Sequence, residues 1–155
     1  MAIEIEKKFL VINDDWRNQV CRSIPFHQGY LSDNEVCSVR VRMEGNRARL
    51  TIKSAGLDIQ RAEYEYDIDP ADALEMLENL CLKGQVTKIR HFVEVGRHTW
   101  EIDEFNGENH GLIVAEVELG SRDEEFVKPG WVGKEVSGDP RYMNNNLAKV
   151  PFKNW

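Results

Sequence analysis

Along most of this chain the side chains alternate between apolar and polar with a period of two, and on stretch after stretch the polar positions are charged. Such alternation describes β-strands that keep one face out of water. It covers residues 3 to 11, 36 to 44, 48 to 54, 60 to 68, 86 to 95, 98 to 105 and 113 to 119, and a stretch through Phe26 to Leu31 would make an eighth strand. Turn signals at Gly45-Asn46, Gly56 to Asp58, Gly96 and Asn106-Gly107 leave short connections, which favour antiparallel neighbours.

Helices interrupt the series rarely. Asp69 caps a helix that starts at Pro70, with Ala73, Met76, Leu77, Leu80 and Cys81 at helical spacing, and this helix is expected to cover one flank of the sheet. Asp139-Pro140 signals a second start, and a short helix fits Asp14 to Cys21. With 155 residues, no repeat and no linker, the expectation is a single domain over 1–155, of α+β class and mainly β.

The charged phase is unusual. One face collects Glu4, Glu6 and Lys8; Arg40 and Arg42; Arg49, Thr51 and Lys53; Glu63 and Glu65; Lys88 and Arg90; Glu101 and Asp103; Glu116 and Glu118. The other carries Ile3, Ile5, Phe9, Val39, Val41, Leu50, Ile52, Tyr64, Tyr66, Ile89, Trp100, Ile102, Val117 and Leu119. A solvated strand face needs no repeated charge and no sorting by sign. Any one pair is most simply a solvated face, but seven coincident pairs, with acids and bases on separate strands, are not. If helices cover the apolar face, the charged face is either open to water or rolled inward as a barrel lining, and an eight-stranded barrel has room for filling side chains or one small ligand.

Residues i and i+2 on a strand project to the same side roughly 6.5 to 7 Å apart, so paired carboxylates can converge on one cation. Clustered carboxylates raise one another's pKa unless compensated. Oxygen ligands without converging His or Cys select Mg²⁺ or Mn²⁺ over zinc, and the basic strands then answer phosphate charge. Five basic groups and a metal suit a triphosphate better than a monophosphate.

The overall balance restricts the rest. A formal net charge of -7 argues against nonspecific nucleic-acid or anionic-membrane binding, which depends on a positive field. The opening MAIEIEKKFL lacks the apolar run of a secretory signal, and no stretch approaches the roughly 20 apolar residues of a membrane span. A cytoplasmic protein is expected, with Cys21, Cys37 and Cys81 as buried reduced thiols. His27, His91, His98 and His110 are scattered and take no catalytic role, and Trp16, Trp131 and Trp155 are read as packing groups.

The ordered motifs resemble a known family. Glu4, Glu6 and Lys8 form ExExK, followed by QGYL at 28–31, VRVR ending at Arg42, LTIK ending at Lys53, EYEY from Glu63, TKIR ending at Arg90, WEID ending at Asp103, AEVEL with Glu116 and Glu118, and GKEVSGDPRYMNNNLA from Gly133. Together they resemble the CYTH superfamily, or triphosphate tunnel metalloenzymes, along essentially the whole chain. The resemblance implies a closed tunnel of eight antiparallel strands, a divalent metal and a small triphosphate substrate. It implies Glu4, Glu6, Glu116 and Glu118 as metal ligands, and Lys8, Arg40, Arg42, Lys53, Lys88 and Arg90 as phosphate contacts. Lys8, Lys88 and Tyr30 are the candidates for the catalytic step. Glu63, Glu65, Glu101 and Asp103 either orient the bases or join the metal, and Lys134 and Arg141 are candidates to close one mouth, Lys134 against phosphate.

Within that family the compact start and the EVSGDPRYMNNNLA ending look most like the small bacterial tripolyphosphatases, which hydrolyse tripolyphosphate to pyrophosphate and phosphate. The alternatives are an adenylate cyclase making cyclic AMP, a thiamine or nucleoside triphosphatase, and a binding protein for polyphosphate or a nucleotide. A homodimer is compatible with the sequence.

Overall fold

The computed structural model describes residues 2–155 and consists mainly of one continuous antiparallel sheet. Its strands are β1 (Ile3–Val11), β2 (Arg22–Asp33), β3 (Cys37–Glu44), β4 (Arg47–Ser54), β5 (Gln60–Ile68), β6 (Val86–Val95), β7 (His98–Phe105), β8 (Ile113–Glu118) and β9 (Val132–Glu135). Two helices accompany them, α1 (Pro70–Asn79) and α2 (Asn144–Lys149). The order β5-β4-β3-β2-β6-β7-β8-β1 closes on itself through a β1–β5 pairing, giving an eight-stranded barrel.

β1 closes the barrel in two stages. Ile3 to Ile5 pair with β5, the Glu6 N–H still reaches the Ile59 carbonyl, and from Phe9 onward β9 takes over the same edge. The sequence pattern did not reveal β9, because a four-residue strand is too short to show a period. The expected helix at 14–21 is only a 3-10 turn at Arg17–Gln19. The turn around Pro140–Tyr142 and the short α2 share the stretch expected to start a helix at Asp139-Pro140.

The charged phase faces inward and the apolar phase faces out, so the core lies outside the barrel wall in separate patches. Trp16 and Trp131, from the segments flanking the strands, cover Phe9, Val93, Trp100, Ile102, Ala115 and Val117. Asp69 accepts the Ala71 N–H at 2.7 Å, which starts α1. Ala73 and Leu77 of α1 then cover Val41 and Ala48. Gly29 permits this docking, since a Cβ there would lie 2.8 Å from Cys81 Sγ. Trp155 is 42% exposed and packs edge-on against Tyr142 and Phe152.

At one end the inward phase changes character. Val86, Phe105 and Val114 continue the inward positions of Lys88, Asp103 and Glu116, and they pack with Val136, Tyr142 and Leu147 of the C-terminal segment. That apolar cluster closes one end of the barrel. The thiols differ from expectation: Cys21 is exposed, Cys37 and Cys81 are half-buried, and all three are unpaired. Cys21 precedes β2 on the outer surface, where nothing covers it. No helix among the described residues is long and apolar enough to cross a membrane.

Candidate active site

Inside the barrel lies a cavity of about 660 Å³, lined almost throughout by charged and polar side chains. Glu4, Glu6, Lys8, Tyr30, Arg40, Arg42, Lys53, Glu63, Glu65, Lys88, Arg90, Glu101, Glu116 and Glu118 all reach it. Strand alternation brings them to one surface, and the long-range pairing of β1 with β8 sets Glu6 opposite Glu118 in register, and Lys8 opposite Glu116.

The acidic wall is formed by β1 and β8. Glu4 Oε1 lies 2.6 Å from Lys53 Nζ, and Glu116 lies 3.7 Å from Lys8 Nζ and 3.4 Å from Arg90. Glu6 and Glu118 form no ion pair among the described residues. Burial, then the Glu116 and Glu4 charges, push the Glu6 carboxyl well above the usual carboxylate range. Burial and the Glu4 and Glu101 charges push Glu118 up as well, and burial with the neighbouring Glu4 carries Glu63 to about 8. Negative charge is therefore in excess along this wall.

The basic wall spans β3, β4 and β6. Asp103, fully buried behind it, accepts from Arg90 Nε at 2.8 Å and Nη2 at 2.9 Å, and from Lys88 Nζ at 2.7 Å. Glu101 holds Arg90 Nη1 at 2.5 Å. Burial lowers Lys88 to about 8 despite the opposing Asp103 charge, and burial together with Arg40 and Arg90 lowers Arg42 to about 10. Arg42 keeps Glu44 at 3.2 Å and Glu65 at 3.6 Å. Arg40 has no ion pair among the described residues; its one side-chain hydrogen bond there is to Thr51 Oγ1 at 3.4 Å. Tyr30 is its register partner across β2 and β3.

Not every expected residue arrives. Lys134 is exposed on β9 and does not line the cavity, because β9 attaches outside the barrel on the edge of β1. Arg141 is exposed, paired with Asp139 at 2.7 Å and lying over the Trp155 ring. His91 and His98 sit on the outer surface with Glu104 and Glu124. Conversely, Arg61 and Arg49 reach the cavity; Arg49 is among the residues expected on the charged face, and Arg61, not among them, shares the phase of Glu63 and Glu65. Asn144 was not legible in the sequence. Its Oδ1 accepts from Lys88 Nζ at 2.9 Å and Gln28 Nε2 at 3.2 Å, while the Tyr142 carbonyl accepts from Lys8 Nζ at 3.1 Å. Only the folded C-terminal segment brings these groups to the lysines.

Among the described residues no three His, Cys, Asp or Glu side chains converge as a ready metal cluster; Lys53 engages Glu4 and Lys8 lies near Glu116. The donor set nonetheless fits a hard divalent cation: four carboxylates on adjacent strands, two of them without an ion pair among the described residues and facing one another, with excess negative charge. Opposite them stands a wall suited to a polyanion.

A CYTH domain is matched over residues 2–147. An inorganic triphosphatase of Acetivibrio thermocellus is 45% identical over the whole of this chain and 99% of its own length. An inorganic triphosphatase of Nitrosomonas europaea is 36% identical over 94% of this chain and 96% of its own. A crystal structure of an inorganic triphosphatase superposes with a TM-score of 0.68 at 34% identity, covering 96% of this chain and 95% of that one. The barrel, its inward charge and these full-length likenesses agree, and the chain belongs to the CYTH-domain family.

Proposed function

We propose that this protein is an inorganic triphosphatase that hydrolyses tripolyphosphate to pyrophosphate and phosphate within its barrel. The observation that carries the reading is the division of one barrel cavity into an acidic wall on β1 and β8 and a basic wall on β3, β4 and β6. Full-length relatives bearing the name inorganic triphosphatase support it, and none of the alternatives has comparable support.

Family membership carries a dependence on a divalent metal, and hard oxygen donors favour Mg²⁺ or Mn²⁺. Glu4, Glu6, Glu116 and Glu118 would hold it. Such an ion neutralises phosphate charge and makes bound water more acidic. Arg40, Arg42, Lys53 and Arg90 clamp the phosphate oxygens, the arginines by bidentate donation. Asp103 and Glu101 fix Arg90, and Asp103 also fixes Lys88, so positioning is complete before the anion arrives. Lys88, cationic below about 8, stabilises charge building on the leaving pyrophosphate oxygen. Lys8, held by the Tyr142 carbonyl beside Glu116, and Tyr30, beside Arg40, are placed to contact the chain or the attacking water. Three unpaired thiols accord with a reducing, cytoplasmic setting.

The test is phosphate release from tripolyphosphate, ATP, thiamine triphosphate and pyrophosphate, each with Mg²⁺, Mn²⁺ and Ca²⁺. Tripolyphosphate is expected to give the highest kcat/KM. No phosphate from it with either Mg²⁺ or Mn²⁺, or cyclic AMP from ATP, overturns the reading.

A further inference from the structure

The Phe26 ring stands in the middle of the basic wall, with the Phe105 ring centroid also 5.5 Å from Lys88 Nζ. Phe26 belongs to β2, is 4% exposed, and occupies an inward position between the charged positions of β3 and β6. Its register partners are Lys88 on one side and Glu44 on the other, with Arg90 and Arg42 paired to the flanking Ile24 and Gln28. The placement gathers three cations around one aromatic ring. Arg42 Cζ lies 4.7 Å from the ring centroid, Arg90 Cζ 4.9 Å and Lys88 Nζ 5.7 Å. All three distances fall inside the roughly 6 Å reach of a cation–π contact.

We propose that Phe26 is a positioning residue of the phosphate-binding wall, its ring serving as a shared cation–π partner that sets the spacing of Arg42, Lys88 and Arg90. This rests on the triphosphatase reading. The physical reason lies in what an anion-binding wall requires when no anion is present. Three buried cations repel one another, and the Arg42 guanidinium already feels Arg40 and Arg90. A carboxylate at position 26 would neutralise them, but as a strong buried ion pair it would compete with the phosphate chain. The ring attracts cations through its quadrupole, enough to order them and more weakly than the charge-assisted bonds phosphate offers. Arg90 and Lys88 also share Asp103 behind the wall, so ring and carboxylate together fix each head group from two directions.

Simple packing is the competing account, and the test separates shape from π charge. Phe26 is replaced by Leu, by Tyr and by pentafluorophenylalanine, which keeps the ring shape while reversing its quadrupole. Each protein is assayed for kcat and KM on tripolyphosphate with Mg²⁺, for tripolyphosphate binding by calorimetry, and for thermal melting. The expected result is a KM raised about tenfold by Leu and by the fluorinated ring, and within about threefold of the parent with Tyr. The basic limb of the pH profile should also move down in the first two, since Lys88 loses a partner for its charge. A fluorinated protein whose KM and basic limb match the parent overturns the proposal, whatever Leu does. Should Leu prevent folding, the fluorinated ring still decides. If the parent binds tripolyphosphate without cleaving it, the triphosphatase reading fails, and the same series is then read on Kd, with the same result required.

Discussion

Asp103→Asn is the substitution whose consequences the structure fixes best. The carboxylate has no solvent exposure, and it accepts two hydrogen bonds from Arg90 and one from Lys88, at 2.7 to 2.9 Å. An amide keeps the shape but loses the charge and turns one acceptor into a donor facing cationic donors. Removing one member of a buried ion pair costs about 3–5 kcal/mol, because the remaining charges stay buried. At 2–4 °C per kcal/mol for a chain of this size, melting should fall by roughly 6 to 20 °C. The acid also supports the Lys88 charge against burial, so its loss should carry that group below its present value of about 8. The basic limb of kcat/KM then moves to lower pH. Thermal melting by circular dichroism, with and without tripolyphosphate, and a pH profile of hydrolysis are the assays. The polyanion should restore part of the lost melting temperature. A variant that melts within 2 °C of the parent and keeps its pH profile would refute the view that Asp103 organises the basic wall.

On the proposed metal assignment, Glu118→Gln should lower Mg²⁺- or Mn²⁺-dependent turnover by about 100-fold while tripolyphosphate binding persists, since it removes the charge and one oxygen of a carboxylate proposed to face the metal and not a phosphate contact; metal titration of turnover checks it, and unchanged turnover contradicts the metal assignment. Asn144→Asp places a carboxylate against Lys88 Nζ and should move the basic limb of the pH profile upward, a shift opposite in sign to that of Asp103→Asn. Chelation of divalent metal should abolish phosphate release and Mg²⁺ or Mn²⁺ should restore it, measured as released phosphate. Gly29→Ala forces a Cβ to within 2.8 Å of Cys81 Sγ and should cost about 1–3 kcal/mol by displacing α1, with kcat less affected than the melting temperature.

Period-two alternation, with charge on one phase, was enough to define β1 and β3 to β8 and to say which side chains share a face; β2, whose pattern carries no charge repeat, was legible only over Phe26 to Leu31 of its Arg22–Asp33 span. That worked because a strand's two faces are set by local geometry alone. Asp69-Pro70 marked the start of α1 for the same reason: a cap is a local hydrogen bond. The tertiary structure decided what no local rule contains. Whether the charged face turns outward or inward depends on β1 meeting β5, a pairing between segments some 57 positions apart in the chain. Lys134 shares the composition of the basic positions but stands outside the barrel, because β9 pairs on the free edge of β1. Asn144 and Tyr142 reach the two lysines only once the C-terminal segment packs against the apolar end of the barrel. The sequence by itself determined the alternation and the sorting of acids from bases by strand; closure of the barrel determined that those charges face one another across a single cavity, since only long-range pairing can place distant strands side by side.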